Sequence, residues 1–125
     1  MKKAACVVLV NPHKMEFLAV SMKTNHEDFN LIGGTVEKGE TFAEAARREA
    51  MEETNLELGT LHLLHQDFDN DTLVKTFYCD SYKGKVSTEE NHVVKWLPLN
   101  YLTKSKTWPE YNTKIYQLCT KQLTQ

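Results

Sequence analysis

The sequence has 125 residues, of which 41% are hydrophobic and 26% are charged, and its formal net charge is −2. These values are typical of a globular protein, and the length predicts one domain spanning residues 1–125. The slight negative charge argues against binding to a nucleic-acid polymer. No apolar run approaches the roughly 20 residues that a membrane helix needs. Neither a nucleic-acid polymer nor a membrane is therefore an expected partner, and the oligomeric state is left open.

The chain begins with a predicted β-hairpin. Two lysines and a short apolar run at the N-terminus resemble a signal peptide, but the run ends at Asn11-Pro12, which is a turn signal. We therefore expect a core strand over residues 4–10, with residues 16–22 as its hairpin partner. Residues 23–28 are polar and predict a loop, and residues 29–32 predict a short strand.

A helix with a recognisable start and end is predicted next. Thr41 and Glu44 have the Thr-x-x-Glu spacing of a capping box, so the helix is expected to begin at Thr41. It is expected to end near Thr54-Asn55, because Asn tolerates the left-handed conformation that closes many helices. The apolar side of the helix is small, which allows it to lie close against a sheet. This side is formed by Phe42, Ala45, Ala46 and Ala50.

The second half of the chain predicts three more strands and a final helix. Residues 56–65 and 72–82 are predicted strands on either side of a polar turn, and residues 93–97 are the last predicted strand. Pro109 suits the first turn of the final helix. The order β-β-β-α-β-β-β-α predicts an α/β (α+β) fold in which a mixed sheet is sandwiched between helices.

The polar turn contains the acidic run Asp67-x-Asp69-x-Asp71, which resembles the start of a calcium-binding loop. The glycine that should follow is missing, and the twelfth position is Tyr78 rather than glutamate. We therefore interpret the run as the polar tip of a hairpin.

The cysteines and histidines show no metal-binding pattern. There are three cysteines, Cys6, Cys79 and Cys119, which is an odd number without a CxxC pair. We expect reduced, buried thiols in a cytoplasmic protein. The five histidines lack metal-ligand spacing and are assigned no catalytic role.

The predicted central helix concentrates carboxylates on one side. At 3.6 residues per turn Glu49, Glu52 and Glu53 share a face, and like charges at this spacing cost roughly 0.2–0.5 kcal/mol per pair. A compensating cation is therefore expected, and Mg²⁺ takes oxygen ligands together with substrate phosphates. The alternative is a solvated helix in which Arg48 forms i,i+4 ion pairs with Glu44 and Glu52. That alternative does not explain the pair formed by Glu49 and Glu53 beside the alanines.

The spacing around these carboxylates resembles the signature of the Nudix family. Gly34 is followed after five residues by Glu40 and after seven more by Arg48-Glu49-Ala50-x-Glu52-Glu53-x-Asn55-Leu56. Asn55 stands where the family usually has glycine. The resemblance implies a Nudix fold and hydrolysis of a nucleoside diphosphate linked to another group. It also implies Mg²⁺ as the cofactor, with Mn²⁺ as an alternative ion.

The resemblance further implies a role for each residue of the signature. The implied catalytic residues are Arg48, Glu49, Glu52 and Glu53. The implied metal ligands are the Gly33 carbonyl and the side chains of Glu49, Glu52, Glu53 and Glu90. Arg48 would orient the glutamates, because its planar fork matches a carboxylate. Glu90 lies in a later polar loop, 84–91, where family members often place a further carboxylate, and Glu89 is the next candidate.

Similarity outside the signature is to the MutT-type branch of the family, which hydrolyses oxidised purine nucleoside triphosphates such as 8-oxo-dGTP. It includes Phe77-x-x-Asp80-Ser81-x-x-Gly84, Trp96 and Trp108-Pro109-Glu110. The substrate-binding residues implied by this similarity are Asn30, Gly34, Trp108 and Glu110. An indole can stack on a purine, an amide can donate and accept, and a carboxylate can accept from ring N–H groups. Glu110 is one methylene longer than the usual aspartate, and Tyr111 replaces a second acid.

Three functional hypotheses follow. The first is an Mg²⁺-dependent nucleoside triphosphate diphosphatase that releases a nucleoside monophosphate and pyrophosphate. The second is a Nudix pyrophosphatase for ADP-ribose, nucleotide sugars or dinucleoside polyphosphates. The third is a nucleotide-binding module without catalysis, which the presence of all four signature glutamates argues against.

Overall fold

A computed structural model describes residues 1–87 and 91–124. The described residues form nine strands and two α-helices, and a 3₁₀ helix over Leu99–Lys104 precedes the second α-helix. The strands are β1 (Lys2–Asn11), β2 (Glu16–Met22), β3 (Asn25–Asn30), β4 (Ile32–Thr35), β5 (Glu57–Leu58), β6 (His62–Asp69), β7 (Thr72–Cys79), β8 (Tyr82–Lys83) and β9 (Val94–Pro98). The helices are α1 (Phe42–Thr54) and α2 (Pro109–Leu123).

Strand β1 is the centre of the sheet. It pairs in parallel with β7, while its first half pairs antiparallel with β4 and its last two residues pair antiparallel with β2. Strand β6 lies antiparallel to β7, and β3 and β9 both lie antiparallel to β2. Within the described residues this is a mixed sheet of seven strands. Strands β5 and β8 form a separate pair. The predicted mixed sheet flanked by helices is confirmed.

The side chains of β1 alternate between two buried layers, because successive residues of a strand point to opposite faces. One layer packs against α1, and the other packs against the 3₁₀ helix and α2. The first layer contains Ala5, Val7 and Leu9, and the second contains Cys6, Val8 and Val10. A central strand buried on both faces explains why this segment of the sequence is a continuous apolar run.

The prediction that residues 23–28 form a loop is wrong from residue 25 onward, since only residues 23 and 24 form a turn. Residues 25–30 form the edge strand β3, in which Asn25, His26 and Glu27 are exposed. Pairing with β2 supplies the backbone hydrogen bonds of this strand, with Val20 opposite Asn30 and Ser21 opposite Phe29. An edge strand tolerates such polar side chains because one of its sides faces solvent.

The predicted order of six strands is also wrong, because several predicted strands are divided. The single strand expected over residues 29–32 is interrupted at Leu31, where the chain leaves β2 and begins to pair with β1. The strand expected over residues 56–65 is divided into β5 and β6, and the one expected over residues 72–82 is divided into β7 and β8. A change of pairing partner alters no side-chain pattern, so these breaks could not be predicted from alternation along the chain.

Helix α1 begins and ends as predicted. The Thr41 hydroxyl accepts a hydrogen bond from the Glu44 N–H (3.0 Å), and the Glu44 carboxylate accepts one from the Thr41 N–H (2.8 Å). At the other end Asn55 adopts the left-handed conformation, with φ 63° and ψ 23°. Ala45, Ala46 and Ala50 are fully buried against the sheet. Helix α1 is therefore held by capping interactions at both ends and by packing of its alanines on the sheet along one side.

The three cysteines are buried and unpaired in the described chain, as expected. Among residues 1–87 and 91–124, no helix has both the length and the apolar character needed to cross a membrane.

Candidate active site

Arg48 connects the acidic groups around α1. Its Nε and Nη2 donate to the two carboxylate oxygens of Glu40 at 2.8 and 3.0 Å. Its Nη1 donates to Glu49 at 2.9 Å and to Glu52 at 3.3 Å, and Nη2 also reaches the Thr35 carbonyl at 3.0 Å. One guanidinium thus holds the loop before the helix and two carboxylates of the helix in fixed relation, which a planar group with five donors can do.

The charges in this network stabilise one another. Hydrogen bonding to Glu40 is the largest cause that raises the pKa of Arg48. The same hydrogen bond to Arg48, followed by one from the Glu37 N–H (2.8 Å), lowers the pKa of Glu40 below its ordinary value. Both groups therefore stay charged at neutral pH, and the loop over residues 37–40 is tied to the helix.

The glycine pair leaves room for the groups around it. A Cβ placed at Gly34 would lie 2.5 Å from Cδ of Glu49, so the carboxylate lies directly over this backbone. A Cβ at Gly33 would lie 2.6 Å from the Ala5 carbonyl oxygen on β1. Only residues without a side chain allow both contacts at once.

Glu53 links the glycine pair to the interior. It is 8% exposed, and its Oε1 accepts a hydrogen bond from the Gly33 N–H at 3.0 Å. Its Oε2 lies 4.0 Å from Nε2 of His92, whose Nδ1 is 2.8 Å from the Ser21 carbonyl oxygen. His92 was assigned no role from the sequence. It reaches the site because β2 and β9 are paired, and no spacing rule reveals this.

Cys6 lies against the same group. Burial, and then the charges of Glu53 and Glu49, raise the pKa of its thiol to about 12. The thiol is therefore neutral at physiological pH and is not a nucleophile.

The oxygen groups at the end of α1 match the ligands of a hard divalent cation. Glu49, Glu52 and Glu53 supply carboxylates, and Gly33 supplies a backbone carbonyl, which are the ligand types of Mg²⁺. Within residues 1–87 and 91–124, no three His, Cys, Asp or Glu side chains converge closely enough to hold an ion. The predicted ligand Glu90 and its neighbour Glu89 lie outside the described residues. The ligand types thus fit Mg²⁺. In the described chain, however, Glu49 and Glu52 are hydrogen-bonded to Arg48 and do not converge with Glu53 on one point.

A cavity of about 380 Å³ opens beside the glycine pair. Glu53 and Gly34 line its side towards α1, and His92 also lines it. Asn30 and Trp108 line it as well, so two of the predicted base-binding residues share the cavity with the glycine pair and Glu53.

A set of amide hydrogen bonds lies beside the cavity. Asn30 Oδ1 accepts from the Leu31 N–H and from Asn112 Nδ2, both at 3.0 Å, while Asn30 Nδ2 lies 3.4 Å from the Thr107 carbonyl oxygen. Asn112 is fully buried, and its Nδ2 also donates to that carbonyl at 3.3 Å. If the Asn30 amide were reversed, its NH₂ group would face the Leu31 N–H and Asn112 Nδ2, which are also donors. Each buried group left unpaired costs about 1–3 kcal/mol.

The segment before α2 carries Trp108 in an unusual backbone conformation. Trp108 has φ 55° and ψ 52°, which is uncommon for a bulky residue and costs on the order of 1–3 kcal/mol. The preceding Thr107 is held by two short hydrogen bonds, since its hydroxyl donates to Asp28 at 2.6 Å and its carbonyl accepts from Ser105 at 2.7 Å. These bonds hold the 42%-exposed indole at the cavity.

Glu110 is not brought to this cavity. It lines a second hollow of about 530 Å³ together with Phe68, Tyr111 and Trp108, which contributes to both. The first turn of α2 instead directs Asn112 inward. The prediction that Glu110 contacts a base stays a prediction. Asn112, Thr107 and Asp28 are not predicted site residues, because their importance depends on contacts across the fold.

The sequence is similar to one family model and to curated proteins. The NUDIX domain model matches residues 1–119. A protein from Danio rerio named "Oxidized purine nucleoside triphosphate hydrolase" is 32% identical over 88 residues, which cover 66% of this chain and 56% of the relative. A protein of the same name from Mus musculus matches with the same identity and coverage. The chain therefore matches little more than half the length of these relatives.

The fold was compared with solved structures. A MutT structure from work on Aliivibrio salmonicida and Vibrio cholerae superposes with a TM-score of 0.80 at 17% identity, covering 96% of this chain and 98% of that one. A MutT Nudix hydrolase from Burkholderia pseudomallei superposes with a TM-score of 0.70 at 20% identity, covering 79% and 84%. At these identities the likeness establishes the fold.

Proposed function

The chain belongs to the Nudix family, whose members generally use divalent metal cations. From this premise we propose that it hydrolyses a nucleoside triphosphate to a nucleoside monophosphate and pyrophosphate. The preferred base is an oxidised purine of the 8-oxoguanine type, and the metal is Mg²⁺, for which Mn²⁺ can substitute.

One observation carries this proposal. Glu53 belongs to the signature helix, is hydrogen-bonded to the Gly33 N–H, and lines the cavity that also contains Asn30 and Trp108. A nucleotide with its base in the cavity would therefore extend its phosphates over the glycine pair towards the carboxylates of α1. This is the arrangement that hydrolysis of a phosphoanhydride requires.

Different residues would bind the metal, position its ligands and bind the base. The carboxylates of Glu49, Glu52, Glu53 and Glu90 and the Gly33 carbonyl would hold Mg²⁺. When bound, this ion neutralises phosphate oxygens and lowers the pKa of water. Arg48 would hold Glu49 and Glu52 in position through its contacts with Glu40. The buried amide groups and the Trp108 indole would orient the base, and Glu110 is the further predicted contact.

The curated relatives support the choice of base, because both are named as hydrolases of oxidised purine nucleoside triphosphates. The cavity also suits a purine. Trp108 offers an aromatic face and Asn30 offers a polar group that is fixed by its neighbours, which together provide stacking and hydrogen bonding.

The test is a set of nucleotides assayed with Mg²⁺, with the products separated. We expect the highest kcat/KM for an oxidised purine triphosphate and pyrophosphate as the second product. The variant Glu53→Gln should lower kcat at least about 100-fold, because a charged oxygen at the phosphates is replaced by a neutral amide. Glu57→Gln removes an exposed glutamate of β5 and is the matched control.

Each outcome has a definite meaning. Turnover of ADP-ribose, a nucleotide sugar or a dinucleoside polyphosphate without turnover of triphosphates would replace this proposal with a different Nudix activity. Tight nucleotide binding without turnover would indicate a binding module. Full activity in the Glu53 variant would show that the assigned site is wrong.

A further inference from the structure

Two backbone groups identify which end of the Asn30 amide is the oxygen and which is the nitrogen. The Leu31 N–H can only donate, and it lies 3.0 Å from Oδ1. The Thr107 carbonyl can only accept, and it lies 3.4 Å from Nδ2. The nitrogen and oxygen of this amide can therefore be distinguished by their partners, without relying on other side chains whose orientation is itself inferred.

Asn112 reinforces the same orientation from the opposite side. Its Nδ2 donates to Asn30 Oδ1 at 3.0 Å and to the Thr107 carbonyl at 3.3 Å, so both of its N–H groups are used. Asn112 is completely buried, and within the described chain its Oδ1 has no hydrogen-bond partner. A buried acceptor without a partner is costly. We therefore attribute the position of Asn112 to the two hydrogen bonds that its N–H groups donate, and not to the bonding of its oxygen.

The bonding pattern decides what Asn30 can offer a ligand. Both lone pairs of Oδ1 are used by Leu31 and Asn112, and one N–H is directed at Thr107. The remaining hydrogen-bonding group of Asn30, which lines the cavity, is a single N–H. A free asparagine amide can donate or accept, whereas this one can only donate.

We propose that Asn112 is a positioning residue that holds the Asn30 amide with its N–H facing the cavity and thereby selects purines with a carbonyl, rather than an amino group, at position 6. The inference rests on the proposed function, because it assumes that the cavity holds the base. A carbonyl oxygen accepts from the N–H, while an amino group would place a donor against a donor. A site that hydrogen-bonds one group discriminates strongly against an analogue that leaves it unpaired.

The experiment uses two nucleotides that differ only around position 6, namely dIMP and dAMP. Their Kd values are measured by calorimetry for the wild type and for Asn112→Leu, which keeps a similar volume but lacks donors. We expect the wild type to bind dIMP about tenfold more tightly than dAMP. In the variant this ratio should fall to within about threefold, because loss of the Asn112 N–H frees one lone pair of Asn30 Oδ1 and loosens the amide, so that Asn30 can offer an acceptor to an amino group as well as its N–H to a carbonyl.

Two further variants distinguish positioning from general loss of structure. Gln117→Leu removes an exposed amide from the same helix and should leave the ratio unchanged. Asn112→Ser should lower the ratio as Asn112→Leu does, and it serves if the leucine variant does not fold. A loss of affinity that is equal for both nucleotides, with the ratio retained, would overturn the inference.

The same samples are assayed for triphosphate hydrolysis, which separates this inference from the proposed function. A wild type that hydrolyses triphosphates but binds dIMP and dAMP equally overturns the inference alone. A wild type that prefers dIMP but hydrolyses no triphosphate supports the inference and overturns the function. If no nucleotide is bound or hydrolysed, both are wrong.

Discussion

The two halves of the candidate site are built in different ways. On the α1 side, Arg48 holds groups that lie within 13 residues of it in the chain, and these groups are mostly charged side chains that are only partly buried. On the cavity side, Asn30 is joined to Thr107 and Asn112, which are 77 and 82 residues away, and the groups are neutral and mostly buried. The first half is a local motif, whereas the second exists only in the folded chain.

This difference predicts how each half responds to change. Charged groups that keep some contact with solvent can adjust their positions and are partly screened, so damage there should appear mainly in catalysis. Buried amides have fixed partners and no water to replace them, so damage there should appear in base selectivity and in stability.

The largest effect is expected at Arg48. Arg48→Lys keeps the positive charge but loses the bidentate contact with Glu40 and the simultaneous contacts with Glu49 and Glu52. Because misplaced catalytic groups lose much of their effect, kcat for the best substrate should fall about 100-fold. Lys38→Gln, an exposed change in the neighbouring loop, should leave kcat unchanged. An Arg48→Lys variant with normal kcat would show that the bidentate contacts of the guanidinium are not needed for catalysis.

Alanine substitutions at Gly33 and Gly34 should have different effects, one mainly on the free energy of unfolding and the other mainly on kcat. Gly34→Ala meets the flexible carboxylate of Glu49, so we expect kcat to fall at least about tenfold with little change in the free energy of unfolding. Gly33→Ala meets the backbone of Ala5, so it should lower the free energy of unfolding by about 1–3 kcal/mol. Urea unfolding and steady-state kinetics on both variants provide the measurement. Equal loss of stability in the two variants would contradict the assignment of Glu49 as the adjustable neighbour.

The Glu40–Arg48 contact should give a pH-dependent contribution to stability. The pKa of Glu40 is lowered in the folded protein, so its stabilising effect is complete above the ordinary glutamate value of about 4.3. It should fade as the pH falls below that value and disappear once the pH is below the lowered folded-state pKa. We therefore expect the wild type to be more stable than Glu40→Gln at pH 7, and this difference to shrink between pH 4 and pH 2 (about the range in which carboxyl groups titrate).

The matched control for this measurement is the same Glu40 substitution in an Arg48→Leu background. Without the guanidinium, the difference between glutamate and glutamine at position 40 should be small at every pH. A difference that persists there would assign the effect to groups other than Arg48.

The smallest effect is expected at Asn55. This residue ends α1 in the left-handed conformation, which glycine adopts more easily than asparagine. Asn55→Gly should raise the free energy of unfolding by less than about 1 kcal/mol and leave kcat unchanged. Thermal unfolding and kinetics test this, and a change in kcat would mean that the residue contributes more than a helix end.

Sequence patterns were sufficient wherever the determining contacts are local. The capping box of Thr41 and Glu44, the left-handed Asn55 and the shared face of the glutamates all depend on neighbours within about two helical turns. The glycine pair was recognised for the same reason, since its spacing from the helix is fixed. The two layers packed on β1 also follow from alternation along a single strand.

Sequence patterns failed where a strand or side chain depends on a distant partner. The polar segment that became β3 is a strand because β2 supplies its hydrogen bonds, and His92 reaches Glu53 because β9 pairs with β2. At the start of α2, the buried polar side chain of the first turns is Asn112, which no sequence pattern indicated. Helical spacing alone did not indicate that a polar residue would occupy that buried position.

The signature helix, its caps and the carboxylate stripe can be predicted from the sequence, because each arises from residues a few positions apart. The groups that surround the cavity and the direction of the Asn30 amide follow only from the folded chain. Those features depend on hydrogen bonds between segments about 80 residues apart, and the partners of such bonds are defined only when the strands have paired and α2 has docked on the sheet.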